Sequence, residues 1–217
     1  MTAGIFITLE GGEGAGKSTQ LKLLGERLAA HGIDIVRTRE PGGVPSAETI
    51  RELLVNGAAD KWHPLTETLL HFAARHEHIL RLVQPALENG QWVLCDRFAD
   101  STTAYQGYAH KIDLETIATL FRLAVGNLEP NLTIILDLPV EVGLERAEDR
   151  GIGGNRYEQM GTEFHQRLRH GFLQIAANNP RRCSIVDATQ SIEEISGNIM
   201  ALVEERFLST ASKGTRS

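Results

Sequence analysis

The octapeptide Gly11-Gly12-Glu13-Gly14-Ala15-Gly16-Lys17-Ser18 constrains this chain more than any other stretch, because it fits G-x-x-x-x-G-K-[ST] at a change of hydrophobic period. Before it, residues 5–10 form a short, β-branched apolar run that reads as a buried strand. After it, Leu21, Leu24 and Leu28 recur at helical spacing until the stop at His31-Gly32. A strand that ends in glycines and opens directly into a helix turns backbone N–H groups inward, at the helix end that favours anions. Lys17 adds a mobile cation for the β/γ-phosphates, and the Ser18 hydroxyl is a ligand for Mg²⁺. Residues Gly11 to Thr19 are therefore expected to hold the phosphates of a purine nucleoside triphosphate. Glu13 is the unusual member: a carboxylate beside a phosphate pocket, suited to a sugar hydroxyl or to the metal-bound water of a second substrate.

The rest of the chain repeats the alternation. Apolar runs at residues 33–38, 92–96, 132–138 and 183–188 read as four more strands. Helical patterns occupy residues 46–55, 65–89, 101–108, 114–125, 140–149, 163–178 and 192–207, and the polar tail from residue 209 is expected to fray. No linker or internal repeat interrupts the pattern. It predicts one α/β domain over residues 1–217, a P-loop NTPase with a five-stranded parallel sheet covered by helices on both faces.

Composition excludes several functions. A chain of 217 residues with 41% hydrophobic and 23% charged residues has the balance of a soluble globule, not of a disordered chain. A net charge of −6 argues against a nucleic-acid groove, which needs a basic surplus. No apolar run approaches the roughly 20 residues that span a bilayer, and the N-terminus lacks the pattern of a signal peptide. Cys95 and Cys183 both sit in apolar runs and read as buried thiols of a reducing compartment, so a cytoplasmic setting is expected.

Other constellations add to the loop. Asp96-Arg97 ends an apolar strand, the edge where parallel sheets place ligands; the aspartate suits Mg²⁺ through water and the arginine suits a phosphate. Ser101, Thr102, Thr103, Tyr105 and Gln106 follow with hydroxyls and an amide fit to read a sugar or base. Arg39-Glu40-Pro41-Gly42-Gly43 is a second strand end with a rigid turn, and Arg75 lies one helical turn beyond His71 and Phe72. Asp137 is expected in a local capping role. Arg146, Arg150 and Arg156 flank Gly151-Ile152-Gly153-Gly154, the composition of a mobile basic lid over about residues 148–158. No histidine spacing suits zinc.

Taken together, the P-loop, TREPGG, the helical aromatic-x-x-Arg, CDRF with DSTTAYQG, and the late arginine-rich segment resemble the thymidylate kinase (dTMP kinase) family from about Ile5 to Ala188. The resemblance implies transfer of the γ-phosphoryl of ATP to dTMP in dTTP synthesis, Mg²⁺ as cofactor, and a homodimer. It implies Arg39, Arg75 and Arg97 around the acceptor phosphate with Pro41 and Tyr105 near them, Thr102 and Gln106 near thymine, and Glu13 facing the nucleoside sugar. His71 stands where the family's stacking phenylalanine usually lies and Phe72 is its neighbour, so either is a candidate to stack on the base. Relatives with a basic residue inside the loop carry it at the position of Gly14. This chain therefore resembles the kind whose catalytic cation comes from the lid, at Arg150 and Arg156. Rival readings are a kinase for another monophosphate such as UMP and a GTP-dependent switch, but the switch's Asn-Lys-x-Asp tetrapeptide does not occur.

Overall fold

The computed structural model describes residues 4–149 and 156–209. Strands β1 (Phe6–Gly11), β2 (Ile35–Arg39), β3 (Trp92–Asp96), β4 (Leu132–Asp137) and β5 (Cys183–Asp187) form one parallel sheet in the order β2-β3-β1-β4-β5. The helices are α1 (Lys17–Ala30), α2 (Pro45–Val55), α3 (Pro64–His78), α4 (Gln84–Glu88), α5 (Ala99–Thr102), α6 (Leu114–Ala124), α7 (Val140–Glu148), α8 (Thr162–Asn178) and α9 (Ile192–Val203).

The period-two alternation of each strand sends side chains to two different cores. On one face Ile7, Leu9, Leu94, Ile134 and Leu136 meet Leu21, Leu24 and Leu28 of α1 and Ile195, Ile199 and Met200 of α9. On the other, Phe6, Val93 and Cys95 pack with Phe72, Phe98 and Ile117, while Ile135 and Cys183 pack with Tyr105, Leu168 and Phe172. Each such side chain contributes about 1.5–3 kcal/mol on burial. Both cysteines are free and buried.

Three expected helices are not regular. The pattern over residues 65–89 is α3, a π-helical turn at Ile79–Val83, and α4. Pro85 offers no N–H to a regular ladder, and the chain takes in an extra residue just before it, with the Gln84 N–H bonded to the Ile79 carbonyl. The pattern over residues 101–108 is likewise α5 followed by a π-helical turn at Thr103–Ala109. That wide turn carries Tyr105 and Gln106. The pattern over residues 192–207 is α9 followed by a π-helical turn at Glu204–Leu208.

Register places the site. Leu9 pairs with Asp96 and Asp96 with Arg39, so the ends of β1, β3 and β2 lie side by side and release their loops at one edge. The glycine-rich loop lies directly on α7. A Cβ at Gly14, whose φ is +70°, would fall 2.0 Å from the Gly143 carbonyl oxygen, so position 14 has no room for a side chain. In return, a Cβ at Gly143 would fall 2.6 Å from the Glu13 carbonyl oxygen. The same substitution should therefore have opposite signs at two helical glycines. Gly143→Ala presses on the loop backbone and should cost about 1–3 kcal/mol. Gly197→Ala in α9, where an added Cβ meets nothing within 4 Å, should gain up to about 1 kcal/mol. Thermal melts of both variants check this; a stabilised Gly143→Ala would contradict the close approach.

Candidate active site

The donor end is built from β1 and α1. Gly16 caps α1 with φ +84° and no side-chain acceptor, so no capping side chain covers the first N–H groups of the helix. Lys17 is nearly buried and folds back on the loop, its Nζ donating to the carbonyls of Gly12 at 2.7 Å and Gly11 at 3.3 Å. Burial and the nearby Arg97 pull its pKa down to about 8 against the opposing pull of Glu13, Asp96 and Glu10. Ser18 Oγ donates to Asp96 Oδ2 at 2.5 Å, joining the helix start to the end of β3.

Arg97 turns the corner after β3 with φ +71°, a left-handed conformation that non-glycine residues seldom adopt. Its N–H bonds to the Leu9 carbonyl at 3.0 Å. Its Nη1 donates to the Gly11 carbonyl at 2.9 Å and to Ser101 Oγ at 3.2 Å, and its Nη2 pairs with Glu13 Oε1 at 3.1 Å. Tyr105 donates its hydroxyl to the same Glu13 oxygen at 2.6 Å, with its ring under the guanidinium. Burial would raise the Glu13 pKa, but Arg97, Lys17 and Tyr105 outweigh it and hold the carboxyl down at about 2. Beneath them Glu10 is wholly buried, accepting from the Phe98 N–H at 2.7 Å and Ser101 Oγ at 2.6 Å. Burial and the charge of Asp100 push its pKa up to about 7.

From the loop a cleft of about 360 Å³ runs over Asp96 and Arg97 to a wall made by α3 and the second π-helical turn. Arg75 is held there by Glu40, Nε to Oε2 at 2.7 Å, and by the Phe98 carbonyl, which accepts from Nη2 at 3.0 Å. Among the described residues its Nη1 has no partner, nor do Thr102 Oγ1 and Gln106 Oε1; all three residues line the cleft. Arg75 Nη1 is a buried donor without an acceptor, and Gln106 Oε1 is a buried acceptor without a donor.

Most of the residues expected from sequence meet in this cleft: the loop from Glu13 to Thr19, Arg39, Pro41, His71, Arg75, Asp96, Arg97, Thr102, Tyr105 and Gln106 line it. Arg39 Nη2 donates to both oxygens of Glu48 at 3.0 Å. His71 presents its ring beside Tyr157, whose hydroxyl lies 2.9 Å from Nε2, and burial with Arg75, Arg97 and Arg51 pushes its pKa down to about 3. Three expectations need correction. Phe72 does not line the cleft; helical rotation turns it into the core, where its ring packs against the Arg75 guanidinium. Arg156 does not reach the phosphate end. It is fully buried, pairing with Glu67 and donating to the carbonyls of Leu54 at 3.2 Å and Ala59 at 2.8 Å. Asp137 does not cap α7 but forms a two-point pair with Arg169 of α8 at 2.8 and 2.9 Å. Of the expected lid, residues 150–155, Arg150 among them, lie outside the described residues.

Sequence reasoning missed Glu10, Glu67 and Arg51. Arg51 lines the cleft and donates to the Pro41 carbonyl at 2.8 Å. It lies at helical spacing from the buried Ala47 and Leu54, and a charge on an otherwise buried stripe was the available signal. Glu10 had a similar signal, an acid ending a fully buried strand.

The family model described as thymidylate kinase matches residues 9–199. A thymidylate kinase of Caulobacter vibrioides is 55% identical over 207 residues, covering 95% of this chain and 99% of that protein. One from Afipia carboxidovorans is 49% identical over 216 residues, covering 99% and 95%. The crystal structure of thymidylate kinase from Ehrlichia chaffeensis superposes with a TM-score of 0.76 at 33% identity, covering 93% of this chain and all of that one.

The Glu10 carboxyl links the site to pH. Folding raises its pKa from 4.5 to about 7, so the native protein holds this proton more tightly than the unfolded chain. The associated stability is full below 4.5 and is lost as pH rises through 7. Glu10→Gln, neutral throughout, should therefore gain on the parent protein as pH rises from about 5 to about 8, shifting the difference in Tm toward the variant by several degrees. Paired melts across that range measure it, and a constant difference would show that Glu10 is not held protonated.

Proposed function

The chain belongs to the thymidylate kinase family and transfers the γ-phosphoryl group of ATP to dTMP, giving ADP and dTDP; we propose that the transfer takes place along the cleft between the glycine-rich loop and the Arg75–Gln106 wall. The observation that carries this reading is continuity. Lys17 and Ser18 at one end and Arg75, Thr102 and Gln106 at the other line the same cavity, with Arg97 between them.

At the donor end, the N–H groups from Gly11 to Thr19 receive the triphosphate, and Lys17 leaves the loop carbonyls for the β/γ-phosphates. At the acceptor end, Arg97, Arg39 and Arg51 meet the monophosphate. Arg75 Nη1 donates to a base carbonyl while Gln106 Oε1 accepts from the adjacent ring N–H, the pairing offered by the imide edge of thymine. Thr102 adds a hydroxyl. His71, neutral because of its lowered pKa, lays its ring against the base. Glu13 stays ionised and keeps Arg97 and Tyr105 directed toward the acceptor sugar and phosphate.

The attacking phosphate oxygen is already ionised near neutral pH, so no strong general base is needed and alignment with charge neutralisation carries the rate. Ser18 Oγ and Asp96 Oδ2, 2.5 Å apart, are the hard oxygen donors that Mg²⁺ prefers. Among the described residues no cluster of three or more His, Cys, Asp or Glu groups forms a cage, which suits an ion held mainly by phosphates and water. Ser18 and Asp96 would hold Mg²⁺, which would supply neutralisation of the phosphate charge. The closed position at Gly14 supports a cation delivered from elsewhere, and Arg150 is the candidate. Arg146 is engaged with the Ala188 carbonyl at 2.9 Å.

No helix among the described residues is long and apolar enough to cross a membrane, and the free buried thiols support a cytoplasmic setting. Leu65 and Leu69, one turn apart on α3, are both exposed, as is Leu123 of α6, a helix that packs against α3. These exposed apolar groups support a homodimer.

A coupled assay of ADP release across a panel of nucleoside monophosphates should give rapid turnover with dTMP and almost none without an acceptor. Lys17→Ala should lower kcat by about 10²–10³-fold in a folded protein. Acceptor-independent turnover would sink the assignment. Within the cleft, Arg97→Ala should raise KM for dTMP well above any change for ATP, with poor rescue by lysine, which lacks the planar fork. Arg150→Ala should instead lower kcat strongly at nearly constant dTMP affinity. The reverse pattern would exchange their roles.

A further inference from the structure

Gln106 can discriminate between bases only if its amide is prevented from turning over, because a flipped amide would offer two donors where the cleft now offers an acceptor. Among the described residues, none that lines the cleft hydrogen-bonds that amide. Its Nε2 instead donates away from the cavity, to Glu67 Oε1 at 2.7 Å, behind the wall. The second oxygen of Glu67 pairs with Arg156 Nη2, and both side chains are at most 1% exposed. Arg156 is itself fixed by the carbonyls of Leu54 and Ala59 and by its own N–H, which donates to the Val55 carbonyl at 3.2 Å. His110 Nε2 also faces Glu67 Oε1, at 3.7 Å, and burial lowers its pKa.

The chemistry of the chain of contacts is directional. A guanidinium only donates, so Glu67 meets Arg156 with one oxygen as acceptor and turns its other oxygen to Gln106. The Gln106 atom facing it must then be the NH₂ group, which turns Oε1 into the cleft, where it is the orphaned acceptor. With Arg156 in place, a glutamine at position 67 would turn its carbonyl to the guanidinium and its NH₂ to Gln106, reversing the constraint; with Arg156 also replaced, it could meet Gln106 in either orientation.

We propose that Glu67 and Arg156 are positioning residues for base specificity, locking the Gln106 amide so that the acceptor site takes a ring N–H beside a carbonyl and refuses the cytosine edge, which offers a ring acceptor beside an amino donor. This rests on the reading that the wall formed by Arg75 and Gln106 receives the base. It also gives the buried Arg156 a task that does not involve the transferred phosphoryl.

The test compares kcat/KM for dTMP and dCMP in the parent enzyme and in Glu67→Gln. A second variant, Glu67→Gln with Arg156→Met, removes both charges, so that no unpaired guanidinium is left buried. Thermal melts verify that each is folded. The parent should prefer dTMP by about 10⁴-fold, as sites built on a buried hydrogen bond do. In the variants that ratio should fall by at least about 10-fold, with the loss for dTMP in KM and not in kcat. A purely structural role would lower both substrates together and leave the ratio unchanged; that outcome in either folded variant overturns the inference. A further arm uses Gln106→Leu, in which adding Glu67→Gln should no longer alter the ratio, and a continued change there would mean that Glu67 acts by another route. A parent enzyme that accepts dCMP as readily as dTMP would instead overturn the reading of the cleft wall itself.

Discussion

The backbone of Arg97 turns at φ +71° so that its guanidinium reaches back over the neighbouring strand, donating to the Gly11 carbonyl and pairing with Glu13. Donor loop and acceptor cleft depend on this one side chain. Its own N–H is tied to Leu9, Glu13 is held by it and by Tyr105, and Ser101 relays it to Glu10. The conformation is one that a non-glycine residue adopts at a cost of about 1–3 kcal/mol, and it persists because the surrounding contacts overdetermine it.

Those contacts are largely buried and polar, which is an expensive way to build a core unless every group is matched. Thr8 meets Thr133 at 2.9 Å under the sheet, and Arg182 grips both oxygens of Asp100 at 2.6 and 2.8 Å. Glu10 escapes the penalty in a different way, by retaining its proton until pH approaches 7. The layer ties α5 to β1 and β4, and therefore fixes the turn from which Arg97 projects. Among the buried atoms without a partner, which include Arg182 Nε of this layer, those of Arg75, Thr102 and Gln106 belong to residues that line the cleft, where a ligand can complete them.

Much of this was legible in the residues. Because phosphate chemistry needs particular residue types at short, local spacings, the strand runs, the loop, TREPGG, CDRF and DSTTAYQG identified the edge of the sheet and most of the side chains that line the cleft, but not Arg51, Val55 or Tyr157. What escaped was long-range. Arg156 reads as a lid cation by its glycine-rich neighbours, yet its nearest charge is Glu67 on α3, far away in sequence. Phe72 and His71 are adjacent, and only the rotation of α3 against the sheet separates the core residue from the cleft residue. The pattern over residues 65–89 read as one helix through Pro85, whereas the chain passes through a π-helical turn just before that proline.

The sequence alone determined the α/β alternation, the phosphate loop and the acceptor motifs, since hydrophobic period and local turn chemistry act over a few residues and are written directly in their order. The fold decided which of those residues share a cavity, which guanidinium faces a phosphate and which a buried carboxylate, and which acid keeps its proton. These depend on burial and on charges brought together from distant segments, and such fields do not exist until the strands have paired.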